Sequence, residues 1–412
     1  MTAVGPARAP AAARPAAVGV TRGFPLLDGY RALAASAVVV THVGFNTGAA
    51  LNGHAAGLLA RLDIGVALFF LISGFLLFRP WALSHLLGTP RPAAGPYLWR
   101  RALRVLPALW VAVLGVSLLV PENGPVSLPT WFAQLSLLQT YLPVRELLGL
   151  SPLWSLATEV AFYLVLPLLG AALVSLAGGS LEQRMRRAVL GLLALTVVPL
   201  LFRALVLGGE VPARDASFWL PAYLDWFVLG MFLALVRAYR ELAPHTRRWS
   251  LLEDLAAAPG ACWAAAAAVY VVASTQVAGP RSLLAPTAFE ATAKHWLYAA
   301  AAFLMLLPGV LGDPADGRIR SLLGSRPLRF VGDVSYGIFL WNMPVLFLVF
   351  RLLHLTVFDA PFWRTLAVVY GLTLAVATAS HYLVERPFLR LKDRLPGRPT
   401  RSAQATAASA RS

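Results

Sequence analysis

The sequence predicts an all-α membrane protein, a bundle of about ten transmembrane helices with both termini in the cytoplasm. Of the 412 residues, 58% are hydrophobic and only 13% are charged, a balance that soluble domains rarely have. The hydrophobic residues gather in long runs, such as VLGVSLLV and LLALTVVPLLF, which is the pattern that segments crossing a bilayer require. Composition and patterning together therefore indicate a polytopic protein of the lipid bilayer.

Ten apolar runs are long enough for membrane helices, which need about 20 residues each. The predicted spans are 30–48, 63–83, 103–121, 155–176, 188–208, 218–238, 260–277, 295–311, 335–354 and 363–384. A further segment, PTWFAQLSLLQTYL, is short and amphipathic. We expect it to lie at the outer interface or to re-enter the membrane, with Trp131 and Tyr141 as interfacial anchors.

The distribution of basic residues predicts the orientation. With the N-terminus inside, the inner segments hold 26 Lys and Arg residues and the outer segments hold 8. Cytoplasmic loops of membrane proteins are enriched in these residues, so both termini are predicted to lie in the cytoplasm, which also requires an even number of helices. The net charge of +16 has the same explanation, and no basic-aromatic module indicates a nucleic-acid partner.

Three segments are predicted along the chain. Residues 1–26, rich in Ala, Pro, Gly and Arg, are expected to form a disordered cytoplasmic tail, although a signal peptide cleaved within TGAAL is a competing interpretation. Residues 27–388 form the integral-membrane domain, and residues 389–412 form a short basic cytoplasmic tail. We expect no soluble domain after the last helix. Cys262, the only cysteine, excludes an intrachain disulfide and is expected to be a small packing residue.

The first helix carries charged and titratable residues that are costly in a bilayer. Within LDGYRALAASAVVVTHVGF, Arg31 precedes His42 by eleven residues, which is three helical turns plus about 20°. The two side chains therefore share a face and lie about 16 Å apart along the axis. Such residues usually serve a function. In the alternative interpretation, Arg31 is a snorkelling anchor and His42 a hydrogen-bonded core residue.

A glutamate lies at a similar depth in the fourth predicted helix. In SPLWSLATEVAFYLVLPLL, Glu159 follows the outer end of the helix by about one turn. A carboxylate within hydrogen-bond reach of His42 would fix the tautomer of the imidazole and raise its basicity. The alternative is a role near the helix start, where Ser151 or Ser155 is a candidate cap.

Small and basic residues mark the second and third predicted helices. Ser73 and Gly74 fall near the middle of IGVALFFLISGFLLF, where small residues commonly allow close helix packing. Arg100, Arg101 and Arg104 stand at the start of the third helix. They are either a cluster of positive charge on the inner side or a phosphate site, because guanidinium groups suit phosphate oxygens.

The last two helices carry further polar motifs. VGDVSYGIFLWNMPVLF opens the ninth helix and contains Tyr336 and Asn342. SHYLVERPFLRL closes the tenth and contains His381, Glu385 and Arg386. We expect a structural ion pair at Glu385 and Arg386 and an interfacial position for His381.

Six motifs in one order resemble the membrane acyltransferase 3 family, the integral-membrane O-acyltransferases of bacteria. They are LDGYRALAASAVVVTH, GVALFFLISGFLLF, RRALRVLP, LWSLATEVAFYLVLP, DVSYGIFLWNMPV and VERPF, and they extend from residue 27 to residue 388. The resemblance implies a ten-helix bundle in the cell membrane. It also implies transfer of an acyl group, often acetyl, from cytoplasmic acyl-CoA to a hydroxyl of a carbohydrate, glycolipid or secondary metabolite.

The resemblance also implies roles for individual residues. His42 and Glu159 match the catalytic positions, with acyl-CoA as co-substrate, no permanently bound cofactor and no metal. The expected donor- and substrate-binding residues are Asp28, Arg31, Ser73, Arg100, Arg101, Arg104, Trp154 and Tyr336. The sequence departs from the family at Asn342, where a histidine is frequent, and at Ala157-Thr158 before Glu159.

The resulting hypothesis places the nucleotide of acyl-CoA at the cytoplasmic face on the arginines, with its pantetheine arm reaching toward His42. His42 either acts as general base on the acceptor hydroxyl or takes the acyl group itself, and the sequence does not separate these routes. A proton-coupled transporter that uses the buried His, Glu and Arg is the rival function. Inverted repeats in such transporters are usually marked by a pair of broken helices in corresponding halves. The sequence shows no such pair.

Overall fold

A computed structural model describes residues 24–209, 216–246, 248–281, 284–312 and 317–393. Within these ranges the chain is entirely helical, with no strand. The predicted tails lie almost wholly outside the described residues. Residues 24–26, predicted to be disordered, instead lead into the first helix, which begins at Pro25, and residues 390–393 form a 3-10 turn.

Seventeen α-helices are described in the ranges above. The first nine are α1 (Pro25–Thr47), α2 (Ala56–Ala60), α3 (Gly65–Leu87), α4 (Ala94–Leu119), α5 (Leu128–Ser136), α6 (Leu153–Ser175), α7 (Leu181–Leu195), α8 (Val197–Leu207) and α9 (Leu220–Leu242). The others are α10 (Ser250–Ala257), α11 (Pro259–Ala273), α12 (Ala288–Leu311), α13 (Arg318–Leu323), α14 (Arg326–Asp333), α15 (Ser335–Leu352), α16 (Phe362–Ser380) and α17 (Arg386–Leu389). A π turn, His381–Glu385, joins α16 to α17.

Eight helical segments of the described chain are long and apolar enough to cross a membrane, which makes this a multi-pass membrane protein. A ninth is added if α10 and α11, bent by 90° at their junction, count as one broken span. Helix α1, which contains Asp28, Arg31 and His42, is not among the eight. The count of ten and the orientation therefore stay predictions.

Several helices begin earlier than their apolar runs, and two of them show why. The span predicted at 103–121 starts at Ala94, because arginines are good helix formers even where they cannot lie in hydrocarbon. The span predicted at 188–208 starts at Leu181, where Ser180 and Gln183 form a capping box. Hydrophobicity locates the part of a helix that lies in the membrane, whereas capping residues set where the helix begins.

Helix α1 has clear start and stop signals. Pro25 occupies the first turn together with Asp28, whose negative charge suits a helix N-terminus. Gly48 ends the helix in the left-handed conformation at φ 83°. No break interrupts the helix between these residues, so Arg31 and His42 keep the three-turn spacing that the sequence predicts.

Close backbone contacts hold the centre of the bundle together. A Cβ on Gly74 of α3 would lie 2.2 Å from the carbonyl oxygen of Phe227 in α9, and a Cβ on Gly230 would lie 2.0 Å from that of Leu71. The ring of Phe227 stacks on Phe70 at 4.5 Å between centroids. Glycine is therefore required where α3 and α9 cross, as the packing interpretation of Gly74 predicts.

Two ends of the bundle are distinguished below. The first turns of α1 and α4 lie at what we call the arginine end. Helix α1 finishes at what we call the histidine end, and α3, whose first residue Gly65 packs against Ala34 in the middle of α1, runs from that side toward the arginine end. The predicted interfacial segment forms α5 near the histidine end, and it is attached to α4 by the indole of Trp110, which donates to the Leu135 carbonyl at 3.0 Å.

Candidate active site

A cavity of about 690 Å³ lies between α1, α3, α4, α6 and α15. It extends from Arg100 and Leu389 at the arginine end to Val66 and Ser155, in the first turns of α3 and α6. Seven of the ten predicted site residues line this cavity: Arg31, Ser73, Arg100, Arg101, Arg104, Glu159 and Tyr336. Five separate helices therefore bring together residues that lie far apart in the sequence.

The arginine end of the cavity carries positive charge that the fold only partly neutralises. Among the described residues, Arg31, Arg100 and Arg101 have no carboxylate within 4 Å. The Nε atom of Arg101 is buried without a hydrogen-bond partner. Arg104 lies 3.5 Å from the carboxylate of Glu385. Guanidinium groups without a carboxylate partner, gathered around one cavity, favour an anionic ligand with several oxygens.

Glu159 is held in the middle of the cavity by two hydroxyl groups. Ser73 of α3 donates a hydrogen bond to its Oε1 atom. The Tyr163 hydroxyl donates to the same oxygen at 2.7 Å, from one turn further along α6. Tyr163 was not predicted as a site residue, although its spacing of four residues from Glu159 places both side chains on one helix face.

His42 has a different partner from the one expected. Its Nδ1 atom lies 2.6 Å from Oδ1 of Asn342 in α15, and the ring does not line the cavity. Glu159 instead bonds Ser73 and Tyr163. The sequence predicts similar depths for His42 and Glu159, but depth does not set the direction in which a side chain points. Phe339, whose backbone carbonyl accepts a hydrogen bond from the Asn342 amide, lines the cavity one turn before Asn342.

Two predicted substrate residues lie outside the cavity lining. The Trp154 ring stands 4.8 Å from that of Phe218 and 5.3 Å from that of Tyr223, in an aromatic group at the histidine end. Asp28 lies in the first turn of α1, where its backbone carbonyl packs tightly against Gly332. Their roles in substrate binding stay predictions.

Tyr336 and the π turn complete the arginine end. The Tyr336 hydroxyl donates to the carbonyl of Val105 at 2.8 Å and so joins α15 to α4. The ionic partner of buried Glu385 is Arg104 of α4, and Arg386 instead lies over the Tyr382 ring at 5.6 Å. His381, expected at the interface, lines the cavity. π turns of this kind occur frequently at functional sites.

The chemistry of the site comes from a small set of groups. In the part of the chain that the structure describes, no three His, Cys, Asp or Glu side chains gather as the ligands of a metal would. The groups present are guanidinium, hydroxyl and carboxyl groups and the His381 imidazole in the cavity, and the His42 imidazole outside its lining. They can bind an anion, accept hydrogen bonds and move a proton.

Comparison with known proteins identifies the family. A family model described as an acyltransferase domain matches residues 24–382, which include all ten predicted site residues. The chain belongs to the acyltransferase 3 family. The resemblance predicted from the six motifs is thereby confirmed. No solved structure matches the chain.

Three named relatives are similar to this family member over most of its length. It is 27% identical over 394 residues to the peptidoglycan O-acetyltransferase OatA of Listeria monocytogenes. The alignment covers 88% of this chain and 55% of that protein. It is 27% identical over 393 residues to the provisionally named peptidoglycan O-acetyltransferase YrhL of Bacillus subtilis, with 89% and 55% covered. A provisionally named membrane-bound transacylase of Komagataeibacter xylinus, BcsY, is 26% identical over 384 residues, with 90% and 84% covered. The chain spans about half the length of the first two relatives.

Proposed function

We propose that this protein transfers an acyl group, in the simplest case acetyl, from cytoplasmic acyl-CoA to a hydroxyl of a cell-envelope carbohydrate. The observation that carries the proposal is the cavity, which holds an arginine cluster at one end and reaches Phe339, one turn before the Asn342 that contacts His42, toward the other. Membership of an acyltransferase family supports the reaction class. Two relatives named as peptidoglycan O-acetyltransferases support a carbohydrate acceptor.

The donor is proposed to bind from the arginine end. The nucleotide of acyl-CoA carries phosphate groups that are too costly to place in hydrocarbon. Arg100 and Arg101 have no ion-pair partners among the described residues and offer guanidinium groups that match phosphate oxygens. The uncharged pantetheine arm would extend through the cavity past Ser73 and Glu159 toward His42. This orientation places the arginine end in the cytoplasm, as the distribution of Lys and Arg predicts.

The acceptor is proposed to enter from the histidine end. His42 lies there, in the last third of α1, and the residue is half-buried. In the direct route, His42 takes the proton of the acceptor hydroxyl while its oxygen attacks the thioester carbonyl. The new O-acyl bond forms, the carbon–sulfur bond breaks, and CoA leaves as a thiolate that takes up a proton. In the two-step route, the imidazole takes the acyl group first and CoA leaves as a thiolate that takes up a proton. The acceptor oxygen then takes the acyl group from the imidazole, which is released, and the hydroxyl proton replaces the one that the thiolate took up.

Glu159 has a different role in this proposal from the one that the sequence suggested. It bonds Ser73 and Tyr163, so it does not orient the imidazole. We place it instead beside the path of the pantetheine arm. There its negative charge partly balances the arginines that line the same cavity. This balance keeps the middle of the path less attractive to phosphate than the arginine end.

The test uses purified protein in proteoliposomes with acetyl-CoA labelled in the acetyl group. Soluble cell-wall glycans or lipid-linked sugar precursors are supplied on the opposite side. Label that becomes covalently attached to the glycan, and is released by mild alkali as an ester would be, supports the proposal. Label that stays on CoA while a solute accumulates inside the vesicles would overturn it in favour of a transporter.

A further inference from the structure

The orientation of one buried amide determines which nitrogen of His42 is free. Asn342 of α15 is completely buried, and its Oδ1 atom lies 2.6 Å from Nδ1 of His42. The other end of the same amide faces its own helix. Its Nδ2 atom donates to the carbonyl of Phe339 at 2.6 Å and to that of Ile338 at 3.2 Å.

These carbonyl contacts decide which way the amide points. A backbone carbonyl oxygen can only accept hydrogen bonds, so the amide atom that faces Ile338 and Phe339 must be the NH₂ group. The reverse orientation would bring the amide oxygen against two other oxygens and leave buried polar atoms unsatisfied, at a cost of about 1–3 kcal/mol for each. The oxygen of Asn342 therefore faces the His42 ring.

The amide orientation fixes the proton on the ring. An amide oxygen has no hydrogen to donate, so the hydrogen bond between Asn342 and His42 needs a proton on Nδ1. In the neutral imidazole the lone pair then lies on Nε2. Among the described residues, Nε2 has no hydrogen-bond partner. It is therefore the ring nitrogen available to take a proton or an acyl group.

We propose that Asn342 is a positioning residue that holds His42 in the Nδ1-protonated tautomer and makes Nε2 the reacting nitrogen. The inference rests on the proposed function and adds the identity of the reacting atom. An amide does not titrate, so it orients the ring without competing for the proton that the ring must take up. A histidine at this position would titrate there. Asn342 is thus a partner with one fixed hydrogen-bonding role.

The first test observes the tautomer directly. Protein labelled with ¹⁵N-histidine is reconstituted in bilayers, and the His42 signals are assigned by their loss in His42→Gln. We expect the ring proton on Nδ1 in the wild type and on Nε2, wholly or partly, in Asn342→Leu, which has a similar volume but no acceptor. Asn46→Leu is the matched control, because the Asn46 amide donates to the His42 backbone carbonyl and does not touch the ring. A proton on Nε2 in the wild type would overturn the proposal.

The second test separates positioning from packing. Asn342→Leu should lower kcat at least about 10-fold and leave the KM for acetyl-CoA unchanged, because the arginines are not disturbed. If Asn342 acts through His42, the double variant His42→Gln/Asn342→Leu should be no slower than His42→Gln alone. Losses that multiply in the double variant, or wild-type kcat in Asn342→Leu, would overturn the positioning role.

The two tests also distinguish this inference from the proposed function. If the wild type transfers no acetyl group, the proposed function fails, and the ¹⁵N signals still report the tautomer. If the wild type is active and Asn342→Leu is equally active with its proton still on Nδ1, the positioning role alone fails. Size-exclusion profiles and melting temperatures of all variants show that each protein is folded.

Discussion

Arg104 lies 3.5 Å from the buried carboxylate of Glu385, whereas Arg100 and Arg101, on the same helix, have no carboxylate within 4 Å among the described residues. The fold therefore supplies an anion for one of the three arginines. A guanidinium group whose counter-ion is part of the protein mainly joins helices. One whose counter-ion is missing is better suited to bind the phosphate groups of a ligand.

This difference predicts that the donor is bound chiefly by Arg100 and Arg101. Replacing both with Gln should raise the KM for acetyl-CoA at least about 10-fold, because each charge-assisted hydrogen bond contributes roughly 1.5–3 kcal/mol when desolvated. The rate at saturating donor should change much less. Initial rates of labelled acetyl transfer over a range of acetyl-CoA concentrations provide the measurement.

Arg91→Gln is the matched control for the double variant. Arg91 precedes α4 in an exposed loop and does not line the cavity. The Arg91→Gln substitution removes a positive charge from the same end of the protein, so it reports any general electrostatic effect on donor binding. Equal donor KM values for the wild type and the double variant would mean that the arginines only determine membrane orientation.

Replacing Arg31 with lysine should weaken donor binding even though the positive charge is kept. It lines the cavity from α1, with no ion-pair partner among the described residues. Lysine keeps the charge but cannot form the planar pair of hydrogen bonds of a guanidinium group. Arg31→Lys should therefore raise the donor KM, and Arg31→Ala should raise it further. Wild-type kinetics in Arg31→Lys would show that only the charge matters there.

The crossing of α3 and α9 provides a prediction on stability. In Gly74→Ala the new methyl group would lie 2.2 Å from the Phe227 carbonyl oxygen, so the two helices must separate. We expect destabilisation of about 1–3 kcal/mol, typical of overpacking, seen as a lower melting temperature in detergent. In Gly371→Ala the methyl group meets no atom within 4 Å, so this helical control should be neutral or slightly stabilised. Equal losses in both variants would contradict the close contact.

Sequence patterns predicted the residues of the cavity better than their pairing. Arg31, Ser73, Glu159 and Tyr336 all face one cavity, because helical spacing and hydrophobicity restrict polar side chains to the interior of the bundle. The partner of His42 was not predictable in this way. Hydrophobicity and length give the depth of a residue in the membrane, but not the rotation of each helix about its axis.

The helix boundaries show the same division. The interiors of the predicted spans are helical, apart from a turn at Thr196 that separates α7 from α8, because long apolar runs have no other stable form in a bilayer. The start of α4 at Ala94 and the bend of 90° between α10 and α11 were not foreseen. A charged helical turn and a bend at Pro259 depend on caps and neighbouring contacts, which an apolar pattern does not record.

Orientation in the membrane can be tested with single cysteines on a Cys262→Ala background, since Cys262 is buried. Thr89, exposed before α4 at the arginine end, and Asn52, exposed beyond α1 at the histidine end, are each replaced by cysteine. An impermeant maleimide should label Asn52→Cys in intact cells, and Thr89→Cys only after the membrane is opened. Labelling of Thr89→Cys in intact cells would reverse the proposed direction of donor entry.

The most direct prediction concerns His42. His42→Gln keeps a hydrogen-bonding side chain of similar size but cannot take up a proton at neutral pH. If the imidazole is the base or the acyl acceptor, transfer should fall at least about 100-fold, the lower range for the loss of general acid–base catalysis. Donor binding should be unchanged, because the His42 ring does not line the cavity that holds the arginines. The measurement is product formation by monodisperse protein at saturating acetyl-CoA, with Asn46→Leu as the neighbouring control. A His42→Gln protein that works at the wild-type rate would make His42 a polar core residue and move the search for the base to Glu159, held by Ser73 and Tyr163 inside the cavity.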